Sequence, residues 1–344
     1  MIISTSKNCA MAKFFGLKSS SQRNLLGVCV LVAICLRLGY VIQIRCIVPK
    51  YGRPTIHEKA VVCSIQAKED AYIDEWVDYH LAIGFKMIYI YDNSDNYDLR
   101  NWGNQRFLDN VRVEHFPSIK KQLLANVGCA KRAEKDGATW AAFFDIDEFL
   151  LLKKNENINE FLVEYGPSKG AIGINWLIVG TSNATKYEPK PVTLRFQHTD
   201  PRNPANTAMK TIARVSEIER FQNPHFVIFI DNTTKTIDTN GSTIKSSRTT
   251  NTTTDIAVLY HYRFKSREEF IARKELGRPD MDFRIAKHQN KITKSIEFAK
   301  YGELPFGDTF DDSIWQVLKN RVPRYGLLED IGIKQRLSIY LRMF

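Results

Sequence analysis

Acidic residues are missing from the first 53 positions, which hold eight lysines and arginines (Lys7, Lys13, Lys18, Arg23, Arg37, Arg45, Lys50 and Arg53). The net charge of +11 is therefore mostly terminal, and the remaining 291 residues carry only +3. That excludes a basic face wide enough to grip a nucleic-acid backbone, so no nucleic-acid partner is expected. Cysteine is scarce as well. Of six, Cys9, Cys29 and Cys35 fall in the amino-terminal stretch set apart below, leaving Cys46, Cys63 and Cys129. An odd three makes no disulfide framework, and Cys63 and Cys129 read as small buried apolar residues. No internal repeat is present. At 44% hydrophobic and 25% charged over 344 residues, the composition excludes a disordered chain, a collagen-like repeat and a polytopic membrane protein.

What is present begins with an apolar run from Leu25 to Leu36, continued from Leu38 to Ile44 and interrupted by Arg37 and Gln43. Twenty helical residues at 1.5 Å each span roughly the 30 Å of a bilayer's hydrocarbon core. Four positive charges precede the run, which favours a cytosolic amino terminus. No small-x-small site follows it, so a type II signal anchor is expected rather than a cleaved signal peptide. Arg37, in the second half, can snorkel to the far interface. The expected organisation is a cytosolic tail (1–24), an anchor through the lipid bilayer (25–44), a stem (45–58), a main domain (59–300) and a carboxy-terminal helical extension (301–344). Sequons at Asn183, Asn232, Asn240 and Asn251 all follow the anchor. They agree with a lumenal domain in the Golgi or another secretory-pathway membrane.

In the main domain, Ala60–Ile65, Met87–Tyr91, Val111–Phe116 and Thr139–Phe144 read as strands. Asp70–Gly84 and Gln122–Lys135 read as helices that stop at or before Gly84 and Gly137. Apolar strands alternating with helices predict an α/β fold, a mostly parallel sheet with helices on both faces. Ala171–Val179, Val192–Phe196, Phe226–Ile230 and Ile256–Tyr262 are further expected strands. Asp231–Asp255, with 10 threonines in 25 residues, reads as a poorly ordered polar loop. Ser266–Leu276 reads as a charged amphipathic helix, and Ile314–Asn320 begins the final helical region.

Ligands of such sheets bind at the carboxyl ends of the strands. Gln66–Asp70, Asp92–Asp95 and Asp145–Glu148 all fall there. Asp145-Ile146-Asp147 leaves a buried strand, and alternation is expected to put both carboxylates on one side. Two hard oxygen donors suit Mg²⁺ or Mn²⁺, which would neutralise a diphosphate.

The residues from Glu69 to Phe85, Ile88 to Ser94, Trp140 to Leu150, Asn175 to Ser182, Lys210 to Arg214, Pro224 to Phe226 and His261 to Ser266 together resemble glycosyltransferase family 92 and its family-2-like relatives, in order and spacing over residues 60–280. The resemblance implies a GT-A (Rossmann-like) fold and inverting, metal-dependent transfer from a nucleotide sugar. It implies nucleoside contacts at Gln66, Lys68, Glu69 and Asp92, and a metal and diphosphate at Asp145 and Asp147. It also implies a later histidine, His261 or His225, in the metal shell. Relatives usually show an Asn-Glu pair where this chain has Gln66-Ala67-Lys68-Glu69. Lys210 and Arg214, four apart, are candidate phosphate clamps. An inverting transferase needs a base for the acceptor hydroxyl. Asp200 is chosen over Glu217 and Glu269, and Trp176 could stack on a sugar face.

The expected activity is hexosyl transfer from a UDP-sugar, UDP-galactose foremost, with Mn²⁺ (or Mg²⁺), to a glycan or glycoprotein acceptor. Two alternatives are kept. One is an inactive glycan-binding relative, which would not need both Asp145 and Asp147. The other is a haloacid-dehalogenase-type phosphatase, whose fold begins at its Asp-x-Asp strand.

Overall fold

The structure, a computed structural model, describes residues 58–117, 122–276 and 304–330. The expected tail, the 25–44 anchor and the stem up to residue 57 lie outside the described residues, as do parts of the carboxy-terminal extension. Among the described residues no helix is long and apolar enough to cross a membrane.

Four parallel strands lie in the order β4–β1–β2–β3: β1 (Ala60–Gln66), β2 (Met87–Asp92), β3 (Val111–His115) and β4 (Trp140–Phe143). Linking them are α1 (Asp70–Ala82), α2 (Arg100–Arg106) and α3 (Gln122–Lys135). Side chains alternate between faces. Ala60, Val62, Ile88, Ile90 and Ala142 join Trp76 and Val77 of α1 in one core. Val61, Cys63, Ile65, Tyr89 and Ala141 join Ala125, Cys129, Ala130 and Ala133 of α3 in the other. Burying each large apolar side chain contributes about 1.5–3 kcal/mol, which is why strands apolar on both faces require helices on both. After α1, Gly84 takes φ +101°, where a Cβ would stand 3.2 Å from the Asn157 Cβ.

Downstream come β5 (Glu148–Leu152), α4 (Ile158–Tyr165), β6 (Ala171–Val179), β7 (His198–Asp200), β8 (Met209–Arg214), the hairpin β9 (Ile218–Asn223) and β10 (Phe226–Phe229), β11 (Thr236–Ile237), β12 (Thr243–Ile244) and β13 (Ala257–His261). α5 (Arg267–Leu276), β14 (Thr309–Phe310), α6 (Ser313–Arg321) and α7 (Pro323–Asp330) follow. β8 runs antiparallel to both β4 and β6. At one end β6 pairs with β11; at the other it pairs with β13 and β7. β13 pairs antiparallel with β5. The sheet is therefore mixed: the expected parallel arrangement holds for β1–β4 and gives way beyond β4.

Three local expectations are overturned. Val192–Arg195 is a helical turn, not a strand. The buried Glu75 carboxylate of α1 accepts the backbone N–H groups of Val192 (2.6 Å) and Thr193 (3.0 Å), holding the turn's open amino end. The threonine-rich segment is an ordered sheet edge: Thr236 pairs with Ala171 and Ile244, and Thr236 and Ile244 are buried. Cys63 and Cys129 form a disulfide with Cα atoms 6.0 Å apart. Each projects from its own element, β1 or α3, into the same core, a meeting that counting cysteines could not reveal.

Candidate active site

At the carboxyl end of β1, Gln66 Nε2 donates to Asp92 Oδ1 at 3.3 Å, and Gln66 Oε1 accepts the Glu69 N–H at 3.1 Å. Asp92 also accepts the N–H groups of Ser94 (3.0 Å) and Leu99 (2.8 Å). A carboxylate offers about four acceptor sites, so Asp92 is largely engaged in shaping the loop after β2. Lys68 adopts φ +61° and pairs with Asp98. Glu69 is half-buried. Burial pushes its carboxyl up to about 7, with Arg273 and Lys265 opposing and Asp147 and Asp145 adding to the rise.

The Asp145–Asp147 segment is a turn between β4 and β5, closed by Glu148 N–H donating to Asp145 O at 3.0 Å. Strand alternation therefore does not govern it, and its carboxylates have different surroundings. Asp145 Oδ2 lies 2.8 Å from Lys210 Nζ, and Lys210 reaches Glu148 Oε2 at 3.3 Å. The Lys210 side chain is 1% exposed. Burial alone would raise the Asp145 carboxyl, but Lys210 holds it below its ordinary value. Glu148 is fully buried, and burial keeps its carboxyl well above the ordinary range despite Lys210. Glu148 Oε1 accepts the Trp176 indole N–H at 2.8 Å.

Asp147 is 1% exposed. Arg273, on α5, donates to its Oδ2. Its other oxygen, Oδ1, lies 3.5 Å from His261 Nε2, and among the described residues neither atom has a hydrogen-bond partner. Burial favours the protonated acid, but Arg273 and then His261 hold Asp147 well below its ordinary value. Burial likewise keeps His261 neutral, against the pull of Asp147. With no partner on either ring nitrogen among the described residues, His261 is held by packing: the Trp176 ring sits 4.2 Å away, centroid to centroid. His225, also packed against Trp176, donates from Nδ1 to Met209 O at 2.8 Å, and burial pushes it down to about 4. Of the two candidate histidines, His261 lies 3.5 Å from the Asp147 carboxylate, while His225 feels the charge of Asp145 without an ion pair to it.

This carboxylate oxygen and this imidazole nitrogen, buried and with no hydrogen-bond partner among the described residues, are donor types that could hold a divalent cation. Among the described residues no group of three or more His, Cys, Asp or Glu side chains is arranged to hold a metal ion. Sites that share a cation with substrate phosphates draw only one or two carboxylates from the protein, and this donor set fits that kind.

Other expected residues are dispersed. Arg214 pairs with Trp140 at the amino end of β4 and forms an ion pair with Glu58 at 3.1 Å. Because Lys210 and Arg214 lie on a strand, their spacing of four spans about 13 Å instead of one helical turn, and Arg214 sits at the far edge from Asp145. Glu217 accepts the Gly170 N–H near that same edge. Glu269 is fully engaged by Arg195, Tyr72 and Ser266. Asp200 stands in register with Ile178, which is in register with His261, which is opposite Glu148. That line across four strands puts the Asp200 backbone about 10 Å from that of His261, with Asn203 donating to the Asp200 carboxylate at 3.0 Å. Glu148 and Arg273 are additions. Glu148 follows the motif directly; nothing in the charged α5 sequence singles out Arg273.

Residues 59–299 match the model of glycosyltransferase family 92. The chain belongs to that family. A family 92 protein of Oryza sativa subsp. japonica is 30% identical over 151 residues, 43% of this chain and 26% of that protein. One of Arabidopsis thaliana is 30% identical over 154 residues, 42% of this chain and 26% of that protein. The family 92 chain thus matches about a quarter of the length of these relatives. Among solved structures, residues 1–349 of S. aureus TarS in complex with UDP give a TM-score of 0.35 at 13% identity, covering 82% of this chain and 80% of that one. The phosphatase alternative finds no support: the Asp-x-Asp turn follows the fourth strand of this family 92 domain, not its first.

Proposed function

We propose that this family 92 chain transfers a sugar from a UDP-sugar, UDP-galactose foremost, to a hydroxyl of a glycan or glycoprotein, with inversion and with Mn²⁺ or Mg²⁺ bound. The observation that carries the reading is the pair Asp147 Oδ1 and His261 Nε2, buried, 3.5 Å apart at the sheet's carboxyl edge and without a hydrogen-bond partner among the described residues. When bound there, the cation would supply positive charge to the diphosphate and to the departing nucleotide. Asp147 and His261 would hold it. Asp145, fixed by Lys210, lines the diphosphate's approach, and the loop of Gln66, Lys68, Glu69 and Asp92 shapes the nucleoside end. Asp200 is the proposed base, taking the acceptor hydroxyl's proton from the His261 line of the sheet.

The compartment proposed is the lumen of the Golgi or another secretory-pathway organelle, behind the 25–44 anchor. The Cys63–Cys129 disulfide supports it, because such bonds persist in oxidising compartments. The exposure of all four sequon asparagines supports it too.

The test uses the full chain. Asp147→Ala is expected to lower kcat/KM by about 10³-fold with thermal melting near wild type. EDTA is expected to abolish transfer and added Mn²⁺ to restore it, in a screen of UDP-sugars. Full activity in Asp147→Ala or in EDTA would overturn the metal assignment. Deglycosylation should lower the mass of protein expressed in eukaryotic cells; an unchanged mass counts against the lumenal placement.

A further inference from the structure

We propose that Arg273 serves two anions in turn: the Asp147 carboxylate while the donor is absent, and the donor's diphosphate once nucleotide sugar and cation are in place. The inference rests on the metal and donor reading above and adds a residue and an order of events to it.

Among the described residues, Lys210 and Arg273 form ion pairs with the Asp-x-Asp turn, the buried Lys265 adds positive field at Asp147, and the two ion-paired cations differ in kind. Lys210 is enclosed, at 1% exposure, and bridges Asp145 and Glu148. The Arg273 side chain is 42% exposed and meets a carboxylate that is 1% exposed. Part of its side chain thus lies at the surface, while its guanidinium reaches inward and places one of its five N–H donors on Asp147 Oδ2. The arrangement is not a loose surface contact. One helical turn earlier, Glu269 is clamped by two nitrogens of Arg195 (2.9 and 2.8 Å), by the Tyr72 hydroxyl (2.7 Å) and by the Ser266 N–H (3.0 Å). Residues i and i+4 share a helix face. Fixing Glu269 therefore directs Arg273 at the turn.

A buried carboxylate without a counter-ion is strongly unfavourable. Arg273 supplies that counter-ion on Oδ2 and leaves Oδ1 to face His261. A divalent cation at Oδ1 and His261 would neutralise Asp147 and repel the guanidinium beside it, since like charges disfavour each other in a low-dielectric site. The anion that arrives with the cation is a diphosphate, and its oxygens match the guanidinium fork. A side-chain rotation would exchange one anion for the other, because part of the Arg273 side chain already lies at the surface.

The two roles predict opposite changes, which separates them from a merely structural one. In the full chain, Arg273→Met should bind Mn²⁺ alone more tightly, by about ten-fold, because a competing cation is gone. It should bind UDP in the presence of Mn²⁺ more weakly, by about ten-fold or more, because a charge-assisted contact is lost. Arg273→Lys, which keeps the charge but not the fork, should lie between. Mn²⁺ binding is read by the electron paramagnetic resonance of free Mn²⁺, UDP binding by calorimetry, and folding by thermal melting. If both affinities fall together, or UDP affinity does not change, the proposal is overturned. If the wild type binds no Mn²⁺ at all, the metal reading fails. UDP affinity without metal then decides for Arg273: a drop in Arg273→Met upholds its diphosphate contact, and no change overturns it.

Discussion

The Cys63–Cys129 disulfide closes a loop of 66 residues that contains α1, α2, β2 and β3. In the chain-entropy treatment, tying that loop in the unfolded chain stabilises the fold by about 4 kcal/mol. Cys63→Ala with Cys129→Ala removes that constraint. It also leaves two sub-methyl voids, because the cysteines are 1% and 0% exposed in the core between β1 and α3, adding about 1 kcal/mol. A domain of this size loses about 2–4 °C of Tm per kcal/mol, so the double variant should melt about 10–20 °C below wild type. The change should also reach the site. α3 carries Gln122, whose Nε2 is 3.4 Å from Asp145 Oδ1, and Cys63, Asn126, Asp145 and Lys210 line one recess. Loosening α3 should therefore raise KM for the donor before it lowers kcat. The assays are circular-dichroism melting, and alkylation of the denatured, unreduced wild type followed by mass spectrometry. A double variant melting within about 2 °C of wild type, or alkylation of both Cys63 and Cys129 in unreduced protein, would refute the reasoning.

Two further predictions concern acid. Burial would raise the Glu269 carboxyl, but Arg195, Ser266 and Tyr72 hold it down to about 2, against an ordinary 4.5. The stability it lends is complete above pH 4.5 and is lost as pH falls toward 2. Glu269→Gln should cost about 3 kcal/mol at pH 7 and flatten the acid limb of a urea-denaturation series. Burial pushes His80, packed against Trp76, Phe144 and Phe149, down to about 3 from 6.5. Below pH 6.5 the unfolded chain takes up a proton that the folded one refuses, so wild type should lose about 2 kcal/mol between pH 7 and pH 5. His80→Leu should remove that share of the slope, and an identical slope would show that His80 titrates freely.

The parallel half of the sheet was legible in the sequence because its information is local. Ala60–Gln66 and Met87–Asp92 are apolar at every position or nearly so, and a strand buried on both faces needs nothing more to be recognised. The expected carboxyl end of α3, Lys135, is the observed one. Expectations failed where a distant group decides the local conformation. Val192 and Thr193 are β-prone, yet Glu75, more than a hundred residues away, makes their amides the start of a helical turn. Thr236 looks like loop until Ala171 is placed beside it. Arg100–Arg106, polar and with Gly103 inside, carries no helical period, and its contacts to Asp74 and Asp78 of α1 are what hold it.

The candidate site divides along the same line, and for a chemical reason. Asp145 and Asp147 could be found because a carboxylate pair at a strand's carboxyl end is unusual within a few residues. The different fates of the two cannot be found that way. Asp145 is matched to Lys210 through β4–β8 pairing, and Asp147 to His261 through β5–β13 pairing. Each is a contact between strands far apart in the chain. Sequence spacing reports which ligand types exist; sheet register reports which of them share a point in space. Lys210 and Arg214 show the consequence. Grouped by spacing they form one phosphate clamp, but once β8 is placed antiparallel to β4, a single strand carries one to Asp145 and the other to Glu58. The same register that removes Arg214 from the site puts Asp200 in line with His261. That is why the proposed base is argued from strand order and not from the residues beside it.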